Sequence, residues 1–225
     1  MRSLYFFAFC SFFLSISIFA EDKKRDFLMG SIVKSDLWEI DRKNNIEYFK
    51  KNVSFRNDRF FFKSDNAIYD HNNKKWNAYG NVYAKDNIEK NSFIEVFCGK
   101  ANYNENNEEV FMESFPDKNK FIYYNDNKYP YTAYSYKAIA NNFSKEILFT
   151  GAFELHTSSI SAYSDNAFYR EIDKTFELTS SPYLTGSNHS YNFKITGEKI
   201  KIFKDERKAY ITDNIYGVIS SEKKE

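Results

Sequence analysis

With 225 residues, 42% of them hydrophobic and 28% charged, and with 18 Tyr and 24 Phe, the chain is far too apolar for intrinsic disorder. Its 32 Lys and Arg against 31 Asp and Glu leave a formal charge of +1, without the basic field that counterion release at a nucleic acid requires, so no nucleic-acid partner is expected. Seven Gly and three Pro leave the turns to Asn, Asp and Ser, which accept left-handed backbone and bond it locally, and this favours β structure over helix.

Arg2 precedes an uncharged, Phe-rich run from Ser3 to Ala20, and the charged segment Glu21-Asp22-Lys23-Lys24-Arg25 follows. A short positive end, an apolar stretch and a small residue at its close predict an export signal over 1–20, cleaved after Ala20, with one domain over 21–225. The alternative is an uncleaved anchor over 3–20, at the short edge of a membrane span. Arg2 is the only charge within 1–20, so the exported part is formally neutral, with 31 basic and 31 acidic side chains. It keeps a single cysteine, Cys98, which excludes an internal disulfide.

The rest of the chain repeats itself. Lys34-Ser35-Asp36-Leu37-Trp38-Glu39-Ile40-Asp41 aligns with Lys63-Ser64-Asp65-Asn66-Ala67-Ile68-Tyr69-Asp70, and Ser164-Asp165-Asn166-Ala167-Phe168-Tyr169 repeats the second nearly letter for letter. Six units register on Trp38, Ala67, Ala101, Ala138, Ala167 and Ile200, at spacings of 29, 34, 37, 29 and 33. Counting the reference residue as 0, positions 0, +2, +9 and +11 are hydrophobic in 23 of 24 cases, and Glu47 is the exception. With a strand's period of two, +2 faces +9 and 0 faces +11 across a hairpin, so the four columns share one face. Tyr69 then lies opposite Trp76 and Ala67 opposite Ala78, with four polar loop residues closing each hairpin.

Position +13 is small or polar at Gly80, Ser114, Gly151 and Ser180, while +15 is apolar or Pro in every unit, which predicts a bend or bulge where each strand turns a corner. Stretches between units, such as Phe60 to Lys63 and Phe93 to Phe97, supply further strands, and no amphipathic helix of convincing length occurs. The face opposite the columns mixes Ile68, Ile139 and Phe168 with Glu39, Asn102 and Lys201, as two layers of one folded sheet would require.

Catalytic patterns are missing. His71, His156 and His189 fall in or near predicted turns at no metal-ligand spacing, and are expected to be solvated. No Gly-rich phosphate loop, Gly-x-Ser-x-Gly elbow or Cys/His arrangement occurs, and the carboxylate pairs Glu108-Glu109 and Asp205-Glu206 fall in hairpin turns. The expectation is a non-enzyme with no metal and no cofactor.

The opening Ser-Asp-Asn-Ala-Ile-Tyr-Asp, the polar turn and the ending Trp76-Asn77-Ala78-Tyr79-Gly80-Asn81-Val82 resemble the OstA-like family of lipopolysaccharide-transport proteins, which includes LptA, LptC and the amino-terminal domain of LptD. Ile147-Leu148-Phe149-Thr150-Gly151-Ala152-Phe153 is a second copy of the ending, and the resemblance runs from about Ser31 to Ile219. The units of Ala101 and Ala167 depart from it, with Phe115-Pro116 and Ser181-Pro182 at their corners. The resemblance implies an all-β, antiparallel jelly-roll or β-taco of about six hairpins, in the periplasm, whose apolar trough binds lipopolysaccharide or a similar glycolipid. It also implies edge-strand addition to other OstA-like components and head-to-tail oligomers. The candidate groove residues are Ala67, Tyr69, Trp76, Ala78, Val110, Met112, Ile147, Phe149, Phe176 and Leu178. Their bland reading is plain core.

Two other readings stand beside this one. A structural or interaction repeat with a closed core would use open terminal strands, including Ile215 to Ser220, to extend a partner's sheet. A carbohydrate-binding module would need a row of surface Tyr or Trp, for which only Trp38 and Trp76 are available, both on the inner columns.

Overall fold

The computed structural model describes residues 32–56, 60–89, 91–125, 130–187, 191–204, 206 and 208–221. The expected export signal and anchor, within 1–20, and His189 lie outside the described residues. Eighteen strands follow one another: β1 (Ile32–Lys34), β2 (Leu37–Asp41), β3 (Ile46–Arg56), β4 (Phe60–Asp70), β5 (Lys75–Glu89), β6 (Ser92–Asn104), β7 (Glu109–Glu113), β8 (Asn119–Asn125) and β9 (Tyr131–Ser135) make the first half. The second half is β10 (Lys137–Asn141), β11 (Glu146–His156), β12 (Ile160–Arg170), β13 (Thr175–Thr179), β14 (Tyr183–Ser187), β15 (Tyr191–Thr196), β16 (Lys199–Phe203), β17 (Lys208–Thr212) and β18 (Tyr216–Ser221). No helix occurs among the described residues, and every pairing is antiparallel.

The pairings resolve into two layers that share long strands. The first runs β2-β3-β4-β5-β6-β7-β10-β11-β12-β13-β16-β17, through the hairpin halves of the strands. The second runs β1-β3-β4-β5-β6-β8-β9-β11-β12-β14-β15-β18, through the other halves. Phe60 to Lys63 and Phe93 to Phe97, expected as additional strands, are instead the second-layer ends of β4 and β6.

All six hairpins adopt the expected register, from Ile40↔Glu47 and Trp38↔Phe49 in the first to Ile202↔Ala209 and Ile200↔Ile211 in the last. The four-residue loops close on a left-handed residue at +7, seen at Asn45, Lys74, Glu108, Lys145 and Lys174. Asp41 and Asp70 at +3 each accept two loop amides through one carboxylate oxygen, at 2.9 to 3.1 Å, as an Asx turn does.

The corner lies where the small residues placed it. Five units carry two consecutive left-handed residues at +13 and +14: Lys51-Asn52, Gly80-Asn81, Gly151-Ala152, Ser180-Ser181 and Asp213-Asn214. In β3, β5 and β11 this pair faces a single residue at −2 of a neighbouring unit, a two-against-one bulge that turns the strand from one layer into the other. Gly80 suits this site because a Cβ there would stand 2.3 Å from Asp65 Oδ2, at φ +74°. The unit of Ala167 keeps the left-handed pair despite Pro182, while the unit of Ala101 turns through the cis Phe115-Pro116 bond.

The repeated polar letters are accounted for by these corners. Ser64 and Ser164 at −3 donate to the carbonyls of Asn66 and Asn166, at 3.0 and 2.7 Å. Asn52 and Asn81 at +14 donate to Asp36 and Asp65 at −2, each at 2.9 Å, and Asn214 donates in the same way to Glu198. The Ser-Asp-Asn-Ala and Gly-Asn-Val pieces are therefore parts of a latch that holds the fold of the sheet.

Candidate functional site

Along the body the layers are packed shut. Ala67, Tyr69, Trp76, Ala78, Val110, Met112, Phe149, Phe176 and Leu178 are each at most 4% exposed, and Ile147 is half-buried against the same cluster. Rings meet across the layers, Phe121 against Phe149 at 5.2 Å and Tyr131 against Phe176 at 5.3 Å, both edge-on. A gap of about 20 Å³ beside Ile147, Phe149 and Phe176 is too small for an organic ligand.

At the carboxy-terminal end the layers part. A cavity of about 310 Å³ lies between β16 and β17 of the first layer and β14 and β15 of the second, walled by Leu155, Phe176, Leu184, Phe193, Ile195, Ile202, Ala209 and Ile211. The +9 column shows why space remains here: Trp76, Val110 and Phe176 fill the body, whereas the last unit offers only Ala209. Exposed Ser158, Ser159 and Lys208 border the opening. Lys204, 9% exposed, forms part of the wall, with Nζ 3.9 Å from the Tyr123 ring centroid and 5.6 and 5.9 Å from those of Tyr131 and Tyr169. Of the ten candidate groove residues, Phe176 alone lines this cavity. Ile202, Ala209 and Ile211 belong to the columns of the last unit, whereas Leu184, Phe193 and Ile195 stand outside the repeated columns and Lys204 reads as a solvated turn residue.

The amino-terminal end is different. Trp38 and Ile40 are 48% and 57% exposed, since β2 pairs with β3 alone among the described residues. Trp38 stacks on Phe49 at 5.3 Å and donates to Glu47 Oε2 at 2.9 Å, while His71 Nε2 lies 2.8 Å from Glu47 Oε1. The one acid in the apolar columns is thus buried but bonded. Beside it Trp76 donates to Glu105 at 3.2 Å, and burial pushes the Glu105 carboxyl above its ordinary value. The Tyr69 phenol is raised as well, by burial first and then by the charge of Glu105.

His71 and His156, expected to be solvated, are both engaged. His156 Nδ1 lies 2.9 Å from Ser161 Oγ, and its Nε2 lies 3.1 Å from Glu154 Oε2. Burial raises the Glu154 carboxyl, but hydrogen bonds from Lys118 and His156 outweigh it and hold the group below its usual range. A Ser, a His and an acid in contact suggest acyl transfer, which also needs backbone donors for an oxyanion. Ser161 sits in β12 between His156 of β11 and Thr185 of β14, so its strand's amides belong to the two ladders. The three side chains stand on the adjacent strands β11 and β12.

An aromatic row does exist on the outer face of the second layer, contrary to the expectation that Trp38 and Trp76 were the sole material for one. Tyr83, Phe97, Lys120, Tyr134, Glu154, Tyr163 and Tyr183 are successive register partners across seven strands. Its rings are spent on each other: Tyr163 stacks on Tyr183 at 4.7 Å, Tyr83 tilts against Phe97 at 4.9 Å, and Lys63 and Lys194 lie over Tyr83 and Tyr183. Faces covered in this way do not offer a sugar-stacking platform. Cys98 is buried, and desolvation pushes its thiol up to about 12, so it is inert as a nucleophile. Among the described residues no group of three or more His, Cys, Asp or Glu could hold a metal, and no helix is long and apolar enough to cross a membrane.

No protein-family model and no curated protein matches the chain. Among solved structures it is similar to LptH of Pseudomonas aeruginosa, described as the LptA homologous periplasmic component of the conserved lipopolysaccharide transport device. The identity is 10%, over 67% of this chain and 82% of that one, with a TM-score of 0.29.

Proposed function

We propose that the chain is a non-enzymatic periplasmic carrier that shields the acyl chains of lipopolysaccharide or a similar glycolipid between its two layers. The observation that carries this reading is the apolar cavity at the carboxy-terminal end, continuous with a core built from the same columns. At about 0.8 kcal/mol per buried methylene, an acyl chain of a dozen carbons is worth on the order of 10 kcal/mol when kept from water, which is why a carrier is needed at all. The ends suit assembly: Leu37, Trp38 and Ile40 of β2 are exposed at one terminus, and Tyr216, Val218 and Ile219 of β18 at the other. Strands that are paired on one side only among the described residues, and that carry exposed apolar side chains, favour strand addition, either head to tail or to another OstA-like component.

The closed body favours a second reading, an interaction repeat with no lipid ligand. A photocrosslinker at Phe193 or Ala209, beside the cavity, separates the two. Capture of glycolipid in cells supports the carrier, and labelling of protein neighbours alone overturns it. A crosslinker at Met112, in the packed body, serves as the comparison.

A further inference from the structure

We infer that the outer face of the second layer docks on an anionic lipid surface through β4, β5, β6 and β8. This stands apart from the carrier reading, since it uses the rows that alternate with the buried ones. Lys63, Tyr83, Phe97 and Lys120 are successive register partners across the four strands. Phe61, Lys85, Glu95 and Ile122 form the next row, and Phe93 faces Tyr124 in a third. Between them lie buried residues such as Phe62, Ala84, Val96 and Phe121, so the three rows share the outer face. The two layers use their cations differently. On the first, Lys50, Lys137 and Lys199 pair with Glu39, Glu113 and Glu177 of neighbouring strands, at 2.7, 3.5 and 2.6 Å. On the second-layer patch Glu95 is matched by Lys85 at 3.1 Å. The ammoniums of Lys63 and Lys120 lie instead over the rings of Tyr83 and Phe97, at 5.4 and 6.0 Å, with no carboxylate partner among the described residues. Exposed Arg56 of β3, the register partner of Phe61, adds a further cation at the flank.

With a formal charge of only +1 on the whole chain, a local excess of cations is a property of this face and not of the composition. A soluble polyanion would meet the lysines and gain nothing from the rings. An apolar partner would bury the ammoniums unpaired, at high cost. The headgroup region of a bilayer takes both. Ring bodies settle at its apolar boundary, as Tyr does in membrane-interface belts, while flexible Lys stems carry the ammonium to lipid phosphate. A sugar needs a bare ring face, whereas a headgroup layer accepts ring edges and the lysine stems that cover the faces. Neighbouring strands are rotated by about 20–25°, so a flat surface touches only a few of them. The four strands named, about 15 Å across, are those on which unpaired lysines and rings stand together.

Cosedimentation of the full chain with phosphatidylglycerol vesicles and with phosphatidylcholine vesicles tests this. Binding to the anionic vesicles is expected to be about tenfold tighter or more, and to weaken as salt rises. A cation near an anionic surface is worth about a factor of five, so Lys63→Gln combined with Lys120→Gln should lose about 25-fold. Lys63→Arg with Lys120→Arg should bind as the unaltered chain does. Lys50→Gln with Lys137→Gln, on the first layer, should lose about twofold or less. All variants carry the same amino terminus, so any contribution from 1–20 cancels in the comparison. Phe97→Ser, checked for its fold by circular dichroism, should weaken vesicle binding, and soluble polyglutamate should not compete. Equal binding to the two kinds of vesicle, equal losses from the two layers, or no binding at all overturns the inference. Competition by polyglutamate, or undiminished binding by Phe97→Ser, makes the patch a site for soluble polyanions or acidic proteins and overturns the assignment to lipid. None of these outcomes touches the carrier reading, which concerns the cavity.

Discussion

The body of the molecule and its carboxy-terminal end are made of the same hairpin, yet one is solid and the other hollow. In the body each column residue has a neighbouring unit on both sides and a layer opposite, so Val110, Met112 and Leu178 are at most 1% exposed. At the end, Ala209 of β17 stands where the body has large residues, and Ile211 is half-buried, so β16 and β17 supply less volume against β14 and β15. The lesson is that an apolar column does not by itself predict a groove. Whether it forms core or cavity depends on the volume supplied from the opposing layer.

Truncation tests this contrast most strongly. Phe149→Ala should cost about 3–5 kcal/mol in chemical denaturation, because Phe149 packs against Phe121 and Phe153 in the body. Ile211→Ala, on the cavity wall, should cost only about 1 kcal/mol. Similar costs at the two sites would mean that the cavity is no true opening.

The corners come next. Gly80→Ala forces a Cβ into left-handed backbone and into Asp65, and a loss of about 2 kcal/mol is expected in the same assay. The latch itself is weaker: Asp65→Ala, which removes the acceptor of Asn81, should cost about 1 kcal/mol. Glu198→Ala removes the equivalent acceptor at the exposed end and should cost less, since water replaces it there. Equal losses would show that both ends of the sheet are held alike.

The smallest effect concerns Glu105. Its folded pKa lies above the ordinary 4.5, so the folded chain binds the proton more readily than the unfolded chain, and stability falls as pH rises from 4.5 through the raised value. Glu105→Gln should flatten that part of the stability profile, read by denaturant titration at several pH values. An unchanged slope would assign the loss of stability over that range to other groups.

Much of the fold was legible because hairpin register follows from a period of two, and a corner needs residues that accept left-handed backbone. The positions of Tyr69, Trp76, Ala67 and Ala78 and the bend at Gly80 follow from those facts. The second layer was less legible, since β4 and β6 pass through their corners without a break and the bulge is a feature of pairing, not of one strand's composition. The cavity was illegible for a related reason: Lys204 enters it from a turn, and Phe193 and Ile195 reach it from outside the repeat. The contact of Ser161, His156 and Glu154 likewise depends on which strands become neighbours.

In five units the corner pair at +13 and +14 stands at a constant distance from the reference residue, and the unit of Ala101 turns at the same place through Phe115-Pro116, while the units differ by up to eight residues in spacing. All of that length variation therefore falls beyond the corner, in the second layer and its far loops. The first layer acts as an inextensible spine, and the second as a set of flaps cut to different lengths. Insertions of epitope tags or fluorophores should be harmless at the far loops and ruinous at the hairpin loops. Hybrid chains assembled by exchanging whole flaps between units should keep the spine's register.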